Sequence, residues 1–573
     1  MGEGFEEYLA HVKVQAGDYC QMYDADNKAA WAKPLNSYSE SGFTYDATNQ
    51  RYNVAVTGCY DFYIKLKYNA DELYIGPAGT GVVCTDGQDI DAGPIDPGYG
   101  GAAPAQCPDV VLQAFYWDSY KNQSGSDSKY GRTKWIDLLA DTAAINANFD
   151  LVWFPPSATS SGGVGYIPAQ YSNQGDNSTS WGSKAKLNEL IAALHAGKTK
   201  VIADIVINHR GNKSSWCDFY ADNFGAFGTY QLTSAHICKN DEVNSSSSAG
   251  SCKGAATGAN DTGTNFDGAR DLDHSNEYVQ GWAKAYLKWM LNTMQFDGFR
   301  YDMTLGYKGE YLSMYNEASQ PYFSVSEYWE SIDKQVNHLK ATNYNTLIFD
   351  FPLKYKLGDA LGVDGASGET RYNLLKNPTS SLRYKGYKRY AVTFIDNHDT
   401  FERSDNQGGE FIKYKADLGN ADVKRRIMEA NAYILMLPGV PCVFYPHWAR
   451  YKNEISALIA IRKAAGIHSE SEIEESSTIS PSRTYEATIT GHRGVVVLRM
   501  GVNRDKEVPA GFELALDGGA AGNYTIFLKK WAQGIDEVES GESRVKSEKF
   551  LENGQLFIRY GERVFDAQGR LVK

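Results

Sequence analysis

Between residues 110 and 466 the chain alternates short, almost wholly apolar runs with longer stretches whose apolar residues recur every three or four positions. The runs are VVLQAF (110–115), LVWFPP (151–156), VIADIVI (201–207), GFRYD (298–302), FSVSE (323–327), LIFDF (347–351), AVTFID (391–396) and PCVFY (441–445). Runs that do not alternate with polar residues suit strands covered on both faces, as in parallel sheets. The stretches between them carry helical core faces: Leu187, Leu190, Ile191 and Leu194 in one, Val279, Trp282, Ala283, Tyr286, Leu287 and Met290 in another, Ile427, Ala430, Ile434 and Leu437 in a third. Eight strand–helix units predict a closed (β/α)8 TIM barrel. A doubly wound sheet is the alternative, but no GxGxxG or P-loop glycine pattern follows any run, so nucleotide binding has no support.

The same pattern divides the rest of the chain. Residues 1–90 hold alternating runs such as YNVAVTG and CYDFYIKLKY, an N-terminal β domain, and 91–108 are a linker dense in Gly, Pro and Ala. The barrel occupies 109–466, with an inserted B subdomain at about 208–274, after strand 3, rich in Asn, Asp, Ser and Gly and holding three cysteines. GVVVLRM and YTIFLKKW predict a C-terminal antiparallel β domain over 467–533, and 534–573 read as an acidic spacer followed by a short hairpin.

Charge and composition then narrow the partners. With 57 Lys plus Arg against 70 Asp plus Glu, the net charge of −13 disfavours nucleic acid and anionic membrane surfaces. The most apolar stretch (432–446) is broken by three prolines and offers no membrane-spanning segment. The first residues lack the basic, apolar, small-residue order of a signal peptide. Eight cysteines show no CxxC pair and no zinc spacing, while their even number permits disulfides. The 39 Tyr and 11 Trp bring flat rings with a polar edge, which suit sugar faces.

In such a barrel chemistry sits at the carboxyl ends of the strands. Asp302 ends strand four, Glu327 ends strand five, and Asp399 follows strand seven. The first two, one βα unit apart, are neighbours across the barrel mouth. A pair of carboxyls with different protonation is what glycosidic cleavage requires, one as proton donor to the leaving oxygen and one as an anion against the oxocarbenium charge. Arg300, two residues before Asp302, falls on the same strand face and is expected to keep that carboxylate ionised at neutral pH.

DIVINHR (204–210), GFRYD (298–302), SEYW (326–329) and FIDNHD (394–399), in this order and on these strands, resemble the four sequence regions of the α-amylase family of retaining glycoside hydrolases, glycoside hydrolase family 13. GYIPAQY (165–171), DTGTNFDGARDLDH (261–274) and PGVPCVFYPHW (438–448) are similar to the plant-type branch. The resemblance implies that Asp302 is the nucleophile, Glu327 the general acid and then base, and Asp399 the carboxylate that binds the distorted sugar. It implies that Tyr166 stacks beneath that sugar, that His209 and His398 donate to its hydroxyls, and that Arg300 and Asp204 complete the substrate-binding set. It also implies Ca2+ held by Asn208, Asp261, Asp271 and the carbonyls of Thr264 and Gly306, with a second ion near Asn265, Phe266, Ala269 and Asp271 less secure because plant relatives have Asp at the position of Asn265.

Leu305 departs from the family, which usually has a basic residue there against the reducing-end sugar. Residues 1–90 and the tail lack counterparts in the plant enzymes. Starch binding by Tyr23, Trp31, Tyr38 and Tyr45 stands beside a packing role for the N-terminal domain, and the tail resembles C-terminal sorting segments of secreted bacterial proteins. The expected protein is a monomeric, extracellular or cell-surface, endo-acting hydrolase of internal α-1,4 bonds in starch and maltooligosaccharides. A maltooligosaccharide or cyclodextrin hydrolase or transglycosylase of the same family, and a non-catalytic starch-binding protein, are the alternatives.

Overall fold

Each of the eight apolar runs becomes a parallel strand in a computed structural model of the chain: β1 (Val111–Gln113), β2 (Leu151–Trp153), β3 (Lys200–Ile205), β4 (Gly298–Tyr301), β5 (Phe323–Ser326), β6 (Leu347–Phe349), β7 (Ala391–Thr393) and β8 (Val440–Phe444). Each pairs with the next, and β8 returns to β1 with Cys442 opposite Val111, which closes the barrel. Most strands are shorter than their apolar runs because pairing stops where the chain turns outward; β3 ends at Ile205 although the run continues to Ile207. Side chains are described for residues 102–121, 130–162, 164–175, 180–362, 365–403 and 418–531, and toward both ends the backbone of the strands. The chain forms two compact units, Met1–Lys529 and Lys530–Lys573.

Three of the helices start at a side-chain cap. Ser183 Oγ accepts from the Lys186 N–H at the start of α1 (Lys184–Ala196), Asn276 from Tyr278 at α2 (Glu277–Asn292), and Asn420 from Asp422 and Val423 at α3 (Ala421–Met436). The core faces expected from spacing are buried, Leu187, Val279, Trp282 and Ile427 completely; each large apolar side chain so buried contributes about 1.5–3 kcal/mol. A further helix, α4 (Lys452–Ala465), ends at Gly466, whose φ of 69° lies in the left-handed region. The helical pattern of the sequence stops there. A five-stranded sheet follows in the order Glu472–Glu474, Thr484–Thr490, Gly494–Gly501, Tyr524–Lys530, Glu513–Asp517. Arg383, between β6 and β7, ties it to the barrel through Glu475 at 2.9 Å.

Between β3 and α2 the inserted segment has only short elements. His209–Arg210 pairs antiparallel with Arg270–Asp271, so its two ends close on each other beside the barrel mouth. Cys217–Cys252 is a disulfide, whereas Cys107, Cys238 and Cys442 are buried and reduced. Trp282 of α2 donates to Asp222 at 3.0 Å and fastens the insert to the barrel wall.

Toward the amino terminus the backbone forms a four-stranded sheet, in the order Glu6–Val14, Gly58–Leu66, Glu72–Pro77, Tyr38–Ser39, and a three-stranded one of Tyr19–Cys20, Arg51–Val54 and Phe43–Asp46. Tyr23, Trp31 and the side chains of Tyr38 and Tyr45 lie outside the described residues, as do 91–101 of the linker and the spacer at 532–547. The tail holds three antiparallel strands instead of a hairpin, Glu548–Glu552, Gln555–Tyr560 and Arg563–Asp566. Val564 and Phe565, strand formers after Gly561, extend the pairing by one strand. Among the described residues no helix is long and apolar enough to cross a membrane.

The disulfide closes a loop with a sequence separation of 35. Replacing both cysteines, Cys217→Ser with Cys252→Ser, is expected to cost about 3–4 kcal/mol in the insert and barrel, by loop-closure entropy. Urea denaturation followed by tryptophan fluorescence measures it; a loss below about 0.5 kcal/mol would mean that the antiparallel clasp already holds the loop.

Candidate active site

The floor of the barrel mouth is built on one register pair. Asp204 of β3 stands beside Arg300 of β4 in the sheet, and their side chains meet inside the barrel with Arg300 Nη1 donating to Asp204 Oδ1 at 2.9 Å. The same nitrogen donates to Asp302 Oδ1 at 2.6 Å, and Nη2 lies 2.7 Å from Glu327 Oε1. One guanidinium, 1% exposed, thus serves three carboxyls. The other oxygen of Asp204 accepts from Trp153 Nε1 at 3.0 Å and the Tyr166 hydroxyl at 2.8 Å. Met303, directly after Asp302, takes the left-handed conformation (φ 44°), and its N–H donates to Glu327 Oε2 at 2.9 Å. A non-glycine residue in that region marks a turn held in place by its surroundings.

Above this floor lies a cleft of about 470 Å³. Asp302, Glu327 and Asp399 line it together with aromatic and apolar walls. Trp117, Tyr166 and His398 lie nearly parallel, with interplanar angles of 4°, 8° and 10°. Met303, Leu305, Phe266 and Trp329 also border it.

Proton affinities follow from burial. Removal from water raises Glu327 to about 8 against the pull of Arg300, with the charges of Asp302 and Asp399 adding to the rise. Asp302 is raised to about 6, again by burial first, with Arg300 opposing. Arg300, expected to keep Asp302 ionised at neutral pH, does pull its carboxyl down, but a cation shared three ways does not cancel the desolvation. Asp204 is likewise raised to about 6 by burial. Burial lowers His209 to about 4 and His398 to about 3, so both imidazoles are neutral at pH 7.

The structure gathers Asp302, Glu327, Asp399, Tyr166, His209 and His398 around the cleft, and places Arg300 and Asp204 behind its floor. Asp204, expected among the substrate-binding residues, spends both oxygens on Arg300, Trp153 and Tyr166 and is 3% exposed. The histidines are also more engaged than expected. His209 Nε2 donates to the Tyr166 carbonyl at 2.8 Å, and its Nδ1 faces Asn208 Nδ2 at 3.3 Å. His398 Nδ1 accepts from Gln113 Nε2 at 3.0 Å, leaving its Nε2 proton directed at Asp399 Oδ2 at 3.2 Å. Either ring must release a present partner before it donates to a sugar hydroxyl. Sequence reasoning passed over Trp117, Gln113 and Arg403. Gln113 carried a usable signal, a polar residue closing an apolar barrel strand, as Asp204 and Arg300 do inside theirs; Arg403 in a loop carried none.

Beside the cleft the insert clasp collects hard oxygens. Asn208 Nδ2 donates to Asp271 Oδ1 at 3.4 Å, which turns Asn208 Oδ1 toward Gly306; a Cβ at Gly306 would sit 1.8 Å from that oxygen, so only glycine fits. The Thr264 N–H donates to the Leu305 carbonyl at 2.9 Å, which draws the 261–264 loop against Gly306. Asp261 Oδ2 and Asn265 Oδ1 are buried without a hydrogen-bond partner. Burial first, then the nearby carboxyls of Asp261 and Asp241, push Asp271 up to about 8. Crowded, unsatisfied oxygens of this kind fit a hard divalent cation. Among the described residues no group of three or more His, Cys, Asp or Glu gathers for a metal, so an ion here depends on amide and backbone oxygens as well as two carboxylates.

Replacing Arg300 with Met is expected to destabilise the protein by about 3–5 kcal/mol at pH 8, because buried carboxyls lose their counter-ion. The loss should shrink toward pH 5. Without the cation the native carboxyls bind protons more tightly than the unfolded chain does, so stability is lost as pH rises. Urea unfolding at both pH values measures it; an equal loss at each would assign Arg300 to packing instead of charge.

Residues 146–484, well over half of the chain, match the family model described as alpha amylase, catalytic domain. The chain is 29% identical over 390 residues to the probable alpha-amylase 2 of Arabidopsis thaliana, covering 64% of this chain and 82% of that protein. It is 28% identical over 382 residues to the chloroplastic alpha-amylase 3 of the same plant, covering 64% of this chain but 38% of that longer protein. The solved alpha-amylase of Geobacillus thermoleovorans, complexed with acarbose, has the same fold with a TM-score of 0.52 at 16% identity, covering 74% of this chain and 99% of that one. With its barrel closed around a carboxylate cleft and most of that barrel matched, the chain belongs to the α-amylase family of glycoside hydrolases and is similar to plant members of it.

Proposed function

We propose that the protein is an endo-acting retaining hydrolase of internal α-1,4-glucosidic bonds in starch-like glucans. The observation that carries this reading is the pair Asp302 and Glu327, held on the two terminal nitrogens of one guanidinium with unequal hold on their protons. Retaining enzymes hold two such carboxyls about 5 Å apart, close enough for one of them to attack directly, and a shared guanidinium is a means of keeping the pair close. At neutral pH Asp302 is mainly the carboxylate and Glu327 mainly the acid. Asp302 attacks the anomeric carbon while Glu327 protonates the leaving oxygen; Glu327, now a carboxylate, takes a proton from water as that water displaces Asp302. Asp399 raises the proton affinity of Glu327 and binds the distorted sugar, and Tyr166, fixed by its bond to Asp204, supports the ring.

The oxygens of Asn208, Asp261, Asp271, Thr264 and Gly306 would hold calcium. Bound there, the ion supplies positive charge that ties the insert to the loop after Asp302. His209 follows Asn208 and Phe266 stacks on His209 at 4.2 Å, so order in this corner reaches the cleft wall. A starch polymer is too large to enter a cell before it is cut, which supports an extracellular or cell-surface location, and the monomer remains our reading of the assembly.

Reducing-sugar release from soluble starch tests the reaction. Native protein should shorten starch with first products in the α form, and Asp302→Asn and Glu327→Gln should each lose roughly three orders of magnitude of kcat or more. The profile of kcat/KM should be a bell whose acid limb, Asp302 gaining a proton, falls near 6 and whose alkaline limb, Glu327 losing one, falls near 8. Full activity in Asp302→Asn, or first products in the β form, would refute the mechanism.

Chelation tests the ion. EGTA should lower the melting temperature and the activity together, and added Ca2+ should restore both. An unchanged melting temperature in EGTA would remove calcium from this corner.

A further inference from the structure

Arg403 lies in the cleft four residues after Asp399, and two of its contacts are with groups of the site. Its Nη1 donates to Asp399 Oδ1 at 3.0 Å. Its guanidinium carbon stands 3.3 Å from the centroid of the Trp117 ring, which is van der Waals contact directly over the face. Trp117 runs parallel to Tyr166 and His398, 6.0 and 6.3 Å away, and lines the same cleft in which sugar is held in the reading above. A glucose ring cannot stack on the face that the guanidinium covers.

We propose that Arg403 is a positioning and specificity-determining residue that anchors Asp399 and closes the Trp117 ring to sugar, so that an α-glucan binding there must exchange with it. This rests on the hydrolase reading of the same cleft. Among the described residues, the charged and titratable groups that act on Asp399 are Arg403 and His398 on its own loop, Asp302 after β4, Glu327 after β5 and Tyr166 after β2. Glu402, next to Arg403, is turned toward the Tyr130 hydroxyl at 2.9 Å. Among the described residues Arg403 is thus the cation paired with Asp399, while Arg300 is committed to the three carboxyls of the floor.

Two substitutions separate the two contacts. Arg403→Lys keeps a cation for Asp399 but loses the flat group over Trp117, and Arg403→Ala loses both. In kinetics on soluble starch, Arg403→Ala should lose about tenfold or more in kcat and move both limbs of the pH profile upward by roughly half a unit, because an uncompensated Asp399 makes Asp302 and Glu327 hold protons more tightly. Arg403→Lys should leave both limbs in place. In calorimetry with maltoheptaose, on the Asp302→Asn background that prevents turnover, both variants should bind several-fold more tightly than the background alone. Unmoved limbs in Arg403→Ala would overturn the anchoring role, and weaker maltoheptaose binding would overturn the covering role by making Arg403 itself a sugar ligand. If the native chain cleaves no starch, the hydrolase reading fails separately, and the calorimetry still decides whether Arg403 shields Trp117.

Discussion

Arg300 carries one positive charge and faces Asp204, Asp302 and Glu327 in a buried place. Three anions around one cation would leave a surplus of negative charge that a low-dielectric interior does not tolerate. The surplus is met by neutral donors and by protons. Trp153 and Tyr166 turn hydrogens toward Asp204, the Met303 N–H turns toward Glu327, and the carboxyls hold their protons to higher pH than they would in water. The unequal protonation on which acid–nucleophile chemistry depends is thus a product of scarcity: too few positive charges for the carboxyls present.

That shortage also accounts for much of the local architecture. Asp204 and Arg300 meet because β3 and β4 pair in the register that sets them side by side. Met303 adopts a conformation uncommon for a side chain with a Cβ because its N–H is needed at Glu327. Tyr166 links floor and wall, since its hydroxyl serves Asp204 and its carbonyl holds His209. His209 in turn begins the strand that clasps Arg270–Asp271, so the insert, the oxygen-rich corner and the carboxylate floor form one connected set of bonds.

The barrel was legible in the sequence because its strands are covered on both faces, so that VVLQAF, LVWFPP and the other runs stay apolar without alternation. The carboxylates were legible for the complementary reason: Asp302 and Glu327 are the charges that end such runs, and Asp399 lies in a family block. Strand ends were overread, as at Ile207, because apolar character persists past the last paired residue. What a neighbour does to a group was not legible. The rank of Glu327 above Asp302, the full engagement of both histidine rings and the retreat of Asp204 behind the floor all depend on three-dimensional packing. Arg403 was invisible because Trp117, which it covers, comes from the first barrel strand's loop while Arg403 follows the seventh. The tail, read as a short hairpin, has a third strand because the run after Gly561 pairs back on its neighbour.

The pairing of β8 with β1, Cys442 opposite Val111, sets the order in which this chain can mature. The first barrel strand leaves the ribosome long before its last neighbour exists, and until Phe444 emerges the sheet has two open edges and an apolar interior. Contacts so distant along the chain form slowly, since the loop between them must be closed before pairing compensates. The carboxyl cleft, assembled from strand ends that only a closed ring brings together, therefore comes into being late, and the unfinished barrel is the stage at which open strand edges and apolar surface are most exposed to other chains.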